Sequence, residues 1–309
     1  MRMLLAIDQS KDSKIVITLL RKIKWPAGST LIILHVTTVD EEISAAGSSR
    51  LHKKRLDDSG KPPLPVHSEF RRLEKLFASE TLRVQSMLVN GVPGQEILSV
   101  IQKKKIDMAV LGSRGLSRIS GLLLGSVSEW MLNDAPCSVL IGRPTARKAK
   151  SSSSLNILLA TDGSRDAWKA VDVLKSFEFS IETAVTLLHV VKKKVYETGQ
   201  VVGGAGKSRT EFAKLAKDLC GDHGSAGVRL LKETRDALSF TALKIQEHLA
   251  FGHEAQEILK AARLQKADLV IVGSRGLTGL RRLLMGSVAH TVSHHAPCSV
   301  LVVRSSKKA

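Results

Sequence analysis

A glycine pattern that occurs twice constrains the fold of this chain more than any other feature. The spacing G-x2-G-x9-G-S begins at Gly112 and again at Gly273, 161 residues later. Around it, residues 91–143 align with residues 252–304 without gaps, and about 24 of the 53 aligned positions are identical. A duplication this clear predicts two similar domains in tandem.

The segments around each pattern indicate the fold class. Short apolar runs at 107–111 and 268–272 stand directly before the glycines and are typical of strands buried on both faces of a parallel sheet. Strands and helices alternate through both halves, which predicts right-handed crossovers and doubly wound α/β domains. We therefore expect two Rossmann-like domains, each a five-stranded parallel sheet flanked by helices. Their predicted limits are 1–143 and 155–309, joined by a linker over 144–154.

The second half carries two further expectations. Residues 192–208 are polar and rich in glycine, which predicts an irregular insertion. A helix is expected to follow over 210–219.

The position of the glycines suggests a binding site. A glycine-rich turn at the carboxyl end of a strand can bring backbone N–H groups close to an anion, because no Cβ blocks the approach and positive φ angles are allowed. Ser126 and Ser287 would each stand at a helix N-terminus, where the helix dipole favours a phosphate. The alternative interpretation is a pair of turns whose glycines only permit tight packing.

With these motifs in both halves, the chain resembles a tandem universal stress protein over nearly its whole length. In that family, G-x2-G-x9-G followed by Ser or Thr marks the members that bind ATP. Further matches are Asp8 and Asp162 after the first strand of each half, and the segments Leu-His-Val and Ala-Pro-Cys-Ser-Val-Leu, which each half contains once.

The resemblance also implies roles for individual residues. Asp8 and Asp162 would hydrogen-bond the nucleoside, and the backbone at Val36 and Val190 would hold the adenine edge. Arg114 and Arg275 lie inside the loops, where a cation could meet phosphate oxygens. The residues implied to surround the ribose and phosphates are Gly112, Gly115, Gly125, Ser126 and Val127 in the first copy and Gly273, Gly276, Gly286, Ser287 and Val288 in the second. The expected cofactor is ATP, with or without Mg²⁺, and no residue is assigned to a metal site.

Two differences between the copies predict sites of unequal affinity. The first copy has Gln9 where the second has Gly163, which would narrow the approach to the nucleotide. It also has Ser128 where the second has Ala289, so one hydroxyl that could meet a phosphate is missing from the second copy.

The functional hypothesis is an ATP-binding regulator of the stress response. No Ser-His-Asp or Cys-His set and no pair of carboxylates with assignable roles stands out, so we assign no catalytic residue and expect slow ATP hydrolysis at most. One alternative is a basic module that binds polyanions such as nucleic acid, with vestigial nucleotide loops. The net charge of +18 favours it, whereas an aromatic content of 4% gives little material for base stacking. Another alternative is an adenylyl or phosphoryl transferase.

Composition and resemblance also suggest partners and location. In the family, the last strand of each domain pairs across the domain interface, so this chain is expected to form a pseudo-dimer by itself. A further homodimer and the protein partner stay open, while ATP or ADP is the expected ligand. Three cysteines without a C-x2-C pair, and no apolar run near the roughly 20 residues that cross a bilayer, suggest a cytoplasmic protein without a membrane partner.

Overall fold

The structure, a computed structural model, describes residues 1–8, 10–38, 66–115, 124–145, 154–192, 201–203, 209–277 and 285–305, and it describes side chains outside 201–221. The chain divides into two compact units. Residues 1–21 and 25–143 form the first unit, and residues 22–24 and 144–309 form the second. The predicted linker over 144–154 stays a prediction, because residues 146–153 lie outside the described part.

The first unit contains a five-stranded sheet in the order β3-β2-β1-β4-β5, and all its strand pairs are parallel. Its helices lie between successive strands, as a doubly wound fold requires. In chain order its elements are β1 (Arg2–Ala6), α1 (Lys11–Leu20), β2 (Ser29–Thr37), α2 (Val66–Phe77), β3 (Leu82–Asn90), α3 (Pro93–Lys104), β4 (Met108–Gly112), α4 (Ser126–Asp134) and β5 (Ser138–Gly142).

The second unit repeats this architecture with parallel strands in the order β9-β7-β6-β10-β11. The prediction of tandem doubly wound α/β domains is confirmed. Its elements are β6 (Asn156–Ala160), α5 (Arg165–Ser176), β7 (Ala184–Val191), β8 (Val201–Gly203), α6 (Arg209–Ala237), β9 (Lys244–Phe251), α7 (Glu254–Leu264), β10 (Leu269–Gly273), α8 (Ser287–His295) and β11 (Ser299–Val303).

Two features of the second unit differ from the expectation. A sixth strand, β8, lies in the predicted insertion and pairs antiparallel with β9, but its three residues are too few to show a strand period. Helix α6 has 29 residues and continues far beyond the predicted end. It contains Gly227, whose lack of a side chain is required by packing. A Cβ on Gly227 would come 2.7 Å from Cδ1 of Leu249 and 2.8 Å from Cδ2 of His189.

Helix α1 shows how local sequence sets the geometry near the strand ends. Ser10 caps its N-terminus by accepting a hydrogen bond from the backbone N–H of Ser13. Val16, Ile17 and Leu20 are buried at helical spacing, and α1 packs on β4 and β5. Helix α5 begins in the same way at its own serine cap and packs on β10 and β11.

Strand order places the candidate residues together. In the first unit β1 lies between β2 and β4, so the direction of the crossovers reverses between β1 and β4. The same reversal occurs between β6 and β10. Ligands of open α/β sheets bind beyond the carboxyl ends of the strands at such a point. Asp8 and Gly112 stand at this position in one unit, as Asp162 and Gly273 do in the other.

The interior agrees with the composition. Central strands are lined by Leu, Ile and Val with exposures near zero, and the thiols of Cys137 and Cys298 are buried, as expected for interior cysteines. Within the described residues, no helix combines the length and the apolar character needed to cross a membrane.

Candidate functional site

The aspartate after the first strand of each unit is held in place by the helix that follows it. Oδ1 of Asp8 accepts hydrogen bonds from the hydroxyl of Ser13 at 2.6 Å and from the N–H of Ser10 at 3.1 Å. Oδ1 of Asp162 accepts one from the N–H of Ser164 at 2.9 Å, and its Oδ2 accepts one from the N–H of Leu277 at 3.1 Å. Both carboxylates therefore have fixed orientations.

Each aspartate also contacts the motif loop. A Cβ on Gly115 would lie 2.9 Å from Oδ2 of Asp8, and one on Gly276 would lie 2.7 Å from Oδ2 of Asp162. A larger residue at either glycine would push the carboxylate away. The second glycine of each pattern thus makes room for the aspartate, and the structure brings these two predicted site residues together.

The first glycine of each pattern has a different role from the one expected. A Cβ on Gly112 would come 2.9 Å from Cβ of Asp12 and 3.0 Å from its carbonyl carbon. A Cβ on Gly273 would come 2.8 Å from the backbone nitrogen of Ala167. At these two positions the tight-packing interpretation is the right one, because the missing side chain faces the neighbouring helix.

Conformational freedom does not explain the motif glycines either. Positive φ angles among the described glycines occur at Gly28, Gly91, Gly163 and Gly252, none of which belongs to the repeated pattern. The pattern therefore does not use the positive φ angles that glycine allows.

The third glycine of each pattern is not explained by packing in the described residues. Gly125 has φ −81° and ψ 156°, which any residue adopts, and Gly286 has φ −84° and ψ 161°. The nearest atoms to an added Cβ lie at 3.5 Å for Gly125 and at 3.4 Å for Gly286, both ordinary contact distances. A glycine that the fold does not need is consistent with the close approach of a ligand.

These glycines begin helices whose first turns have no side-chain cap. Gly125 is the N-cap of α4 and Gly286 that of α8, and neither cap position offers a side-chain hydrogen bond. Ser126 and Ser287 are the first helical residues, as predicted, and both are exposed. By contrast, Ser10 caps α1 with its hydroxyl. First-turn N–H groups without a cap favour an anion.

One hydrogen bond closes the base of each loop. The N–H of Gly125 donates to the carbonyl of Ser113 at 2.8 Å, and the N–H of Gly286 donates to that of Ser274 at 2.7 Å. Residues 116–123 and 278–284 lie outside the described residues, as do Arg118, Arg281, Arg282 and Gln9.

Two buried carboxylates that the sequence analysis missed hold these loops. Oδ2 of Asp12 accepts hydrogen bonds from the hydroxyl of Ser113 at 2.5 Å and from the N–H of Arg114 at 3.0 Å. Asp166 binds the second loop in the same manner. A signal was present, because each copy has an aspartate four residues after the one that follows its first strand.

Several forces act on the pKa of Asp166. Burial raises it, but hydrogen bonds from Ser274 and Ser305 and the nearby charge of Arg275 lower it, and the net effect is a pKa below the ordinary value. Asp166 is therefore charged at neutral pH and acts as a hydrogen-bond acceptor.

The two loop arginines differ in their surroundings. Nε of Arg275 lies 3.6 Å from Oδ2 of Asp166, and the side chain is partly buried. The Arg114 side chain is exposed. In this structure Arg275 forms an ion pair within the protein, so its predicted contact with phosphate would require it to share or leave Asp166.

Histidines fix the backbone just before each aspartate. Nδ1 of His35 donates to the carbonyl of Ile7 at 2.9 Å, and Nδ1 of His189 donates to that of Thr161 at 2.8 Å. Each bond satisfies a ring nitrogen of a histidine that lies two residues before the end of its strand. Each assigns the Nδ1–H form to the neutral ring.

The predicted adenine contacts lie where a neighbouring strand has ended. The pairing of β1 with β2 ends at Ala6↔Leu34, two residues before Val36. Because the carbonyl of Leu34 faces β1 and backbone groups alternate along a strand, the N–H and C=O of Val36 face the same side. Val190 has the same relation to β6.

Ser128 does not fit the role suggested for it. It is buried, and its hydroxyl donates to the carbonyl of Gly112 at 2.7 Å. The hydroxyl joins α4 to the end of β4. Its replacement by Ala289 in the second copy thus removes a link between a helix and a strand.

Comparisons with known proteins identify the relatives of this chain. The profile of the universal stress protein family matches residues 1–143 and again residues 154–304. Universal stress protein YxiE of Bacillus subtilis is 28% identical over 148 residues, which cover 48% of this chain and 97% of that protein. Universal stress protein MJ0531 of Methanocaldococcus jannaschii is 32% identical over 156 residues, 49% of this chain and 83% of that protein.

A solved structure shows the same fold over the full length. The universal stress protein from Archaeoglobus fulgidus superposes with a TM-score of 0.59 at 20% identity, covering 100% of this chain and 97% of that one. The two profile matches show that the chain belongs to the universal stress protein family, with one copy of the family domain in each half.

Proposed function

We propose that this universal stress protein binds ATP at two sites, one in each half, and that the bound nucleotide regulates its part in the stress response. The observation that carries the proposal is the start of α4 and of α8. Both helices begin without a side-chain cap, directly after a glycine that packing among the described residues does not require.

The residues present fit the parts of a nucleotide. First-turn N–H groups and the exposed hydroxyls of Ser126 and Ser287 would hold phosphates. Asp8 and Asp162 would accept hydrogen bonds from ribose hydroxyls, and the backbone of Val36 or Val190 would face the adenine edge. When bound, Mg²⁺ would supply charge neutralisation for the phosphates.

Slow hydrolysis at most is part of the proposal. A general base must accept a proton from the attacking water. Both oxygens of Asp162 already accept backbone N–H bonds, and Oδ1 of Asp8 accepts two hydrogen bonds. These contacts hold both carboxylates in place and already use oxygen lone pairs that a general base would offer to water, which suits nucleotide occupancy as a signal better than rapid turnover.

The test is the nucleotide content of the purified protein. The protein is denatured, and the supernatant is separated by anion-exchange chromatography for the wild type, Gly125→Val, Gly286→Val and the double variant. We expect ATP or ADP to fall by half in each single variant and to vanish in the double variant. If the wild type carries no nucleotide and binds no added ATP in calorimetry, the proposal is wrong.

A further inference from the structure

The carboxylate of Asp166 is anchored on both of its oxygens. Oδ2 accepts hydrogen bonds from the motif loop, from the hydroxyl of Ser274 at 2.6 Å and the N–H of Arg275 at 3.2 Å. Oδ1 accepts the hydroxyl of Ser305 at 2.5 Å and its N–H at 3.1 Å. Asp166 is only 3% exposed, so these bonds are shielded from competition by water.

A chain of hydrogen bonds links this anchor to the proposed phosphate site. Ser305 binds Asp166, Asp166 binds Ser274, and the carbonyl of Ser274 accepts the N–H of Gly286 at 2.7 Å. Gly286 is the residue from which α8 begins. The position of the first turn of α8 is therefore tied to a residue just beyond β11.

The first copy has the same series of hydrogen bonds, but its sequence lacks a residue that could supply the two bonds made by Ser305. Asp12 binds Ser113 and the N–H of Arg114 through Oδ2, and Ser113 accepts the N–H of Gly125. One position beyond the gapless alignment, however, the residue that corresponds to Ser305 is Pro144. Proline has neither a backbone N–H nor a hydroxyl, so it cannot supply either bond.

We propose that Asp12 and Asp166 are positioning residues for the two motif loops, and that the extra anchor from Ser305 makes the second half the tighter ATP site. This inference rests on the proposed function. A loop held in its binding geometry loses less entropy when the ligand binds. Apparent affinity also rises with the fraction of molecules whose loop is in the competent arrangement.

The affinity of the second site can be measured alone in a Gly125→Val background, with calorimetric titration of ATP. Ser305→Thr keeps both donors and should leave the dissociation constant unchanged. Ser305→Ala keeps only the N–H and should bind more weakly. Ser305→Pro reproduces the first copy and should bind about fivefold more weakly, as expected if the competent fraction falls to about a fifth. Equal affinity for Ser305→Pro and wild type would overturn the inference.

The reciprocal variant tests the same point in the first half. In a Gly286→Val background, Pro144→Ser introduces a hydroxyl and an N–H at the equivalent position. We expect the first site to bind ATP more tightly than in the parent. An unchanged first site would contradict the assignment of the difference to this position.

Hydrogen exchange separates this inference from the proposed function, because it needs no ATP. The N–H groups of Arg275 and Gly286 should exchange faster in Ser305→Pro than in Ser305→Thr, while amides of β7 stay protected in both. If these amides exchange faster in Ser305→Pro and the wild type binds no ATP, the anchoring role of Ser305 would be supported and the proposed ATP binding would be rejected. Unchanged exchange at both amides would reject the anchor itself.

Discussion

The three glycines of each motif have different physical roles at the level of single residues. The first lies against α1 or α5, the second makes room for an aspartate, and only the third is unconstrained by the described protein atoms. The same substitution should therefore have different effects at these glycines. At the first it should lower the stability of the fold, and at the third it should weaken ligand binding.

Alanine at two of these positions tests the distinction. Gly273→Ala places a Cβ 2.8 Å from a backbone nitrogen and should destabilise the protein by about 2 kcal/mol through overpacking. Gly286→Ala meets only ordinary contacts, so its stability should stay within about 1 kcal/mol of wild type, while its ATP affinity falls. Urea unfolding measures the free energy of unfolding of both variants. A loss of stability in Gly286→Ala equal to that in Gly273→Ala would contradict the assignment.

Asp166 gives a prediction for pH. Its folded-state pKa is lowered, so its contribution to stability is present above the ordinary aspartate pKa of about 3.9 and is lost as pH falls through the folded value. Asp166→Asn should cost about 2 kcal/mol at pH 7, since buried donors lose a charged acceptor. The difference between the variant and wild type should shrink below about pH 4.

Asp172→Asn on the same helix is the matched control, because that side chain is exposed. Its urea midpoint should follow that of wild type from pH 7 down to about pH 3. A gap between Asp166→Asn and wild type that stays constant over this range would argue against the assigned pKa direction.

At the level of elements, sequence patterns predicted the strands well and the connecting segments less well. Strands β4 and β10 were recognisable because buried parallel strands form continuous apolar runs. Helix α6 continues far beyond its predicted end at residue 219, and the close contact of Gly227 with Leu249 becomes visible only in the packed structure. The roles of Asp12 and Asp166 were also missed from the sequence, because their hydrogen-bond partners lie more than a hundred residues away.

The end of α3 offers a prediction about an element alone. Lys105 follows its last residue with φ 50°, a left-handed conformation that costs energy for any residue with a Cβ. Lys105→Gly should stabilise the protein by about 0.5–1 kcal/mol. Lys103→Gly, inside the helix, should destabilise it by about 1 kcal/mol. Thermal unfolding would show the opposite shifts, and a loss of stability in both variants would refute the interpretation.

For the whole molecule, the duplication and the net charge of +18 were both evident from the sequence. Of these two features, only the duplication points to a defined site. The motif residues converge at the reversal of strand order in each unit. Their convergence follows from topology, so it could be inferred before any coordinates were known. The exact contacts that fix each loop could not, because they depend on helix and strand packing.

Polyanion binding by the basic surface and ATP binding at the motif loops can be distinguished experimentally. Binding of a polyanion to a basic surface weakens steeply with added salt. If the wild type binds DNA through its basic surface, fluorescence anisotropy should show the same salt-sensitive binding in the double variant Gly125→Val/Gly286→Val, whereas ATP binding should be lost. If ATP binding survives in the double variant and disappears with salt, the basic surface is the true ATP-binding region.

Each motif loop is fastened to the helix and strand of its own half, through Asp12 and Ser113 in one and Asp166 and Ser274 in the other. Under the proposal that the two sites bind ATP with different affinities, they would fill one after the other as the ATP concentration rises. The occupied fraction of the sites would then change over a wider range of ATP concentration than it would for a single site.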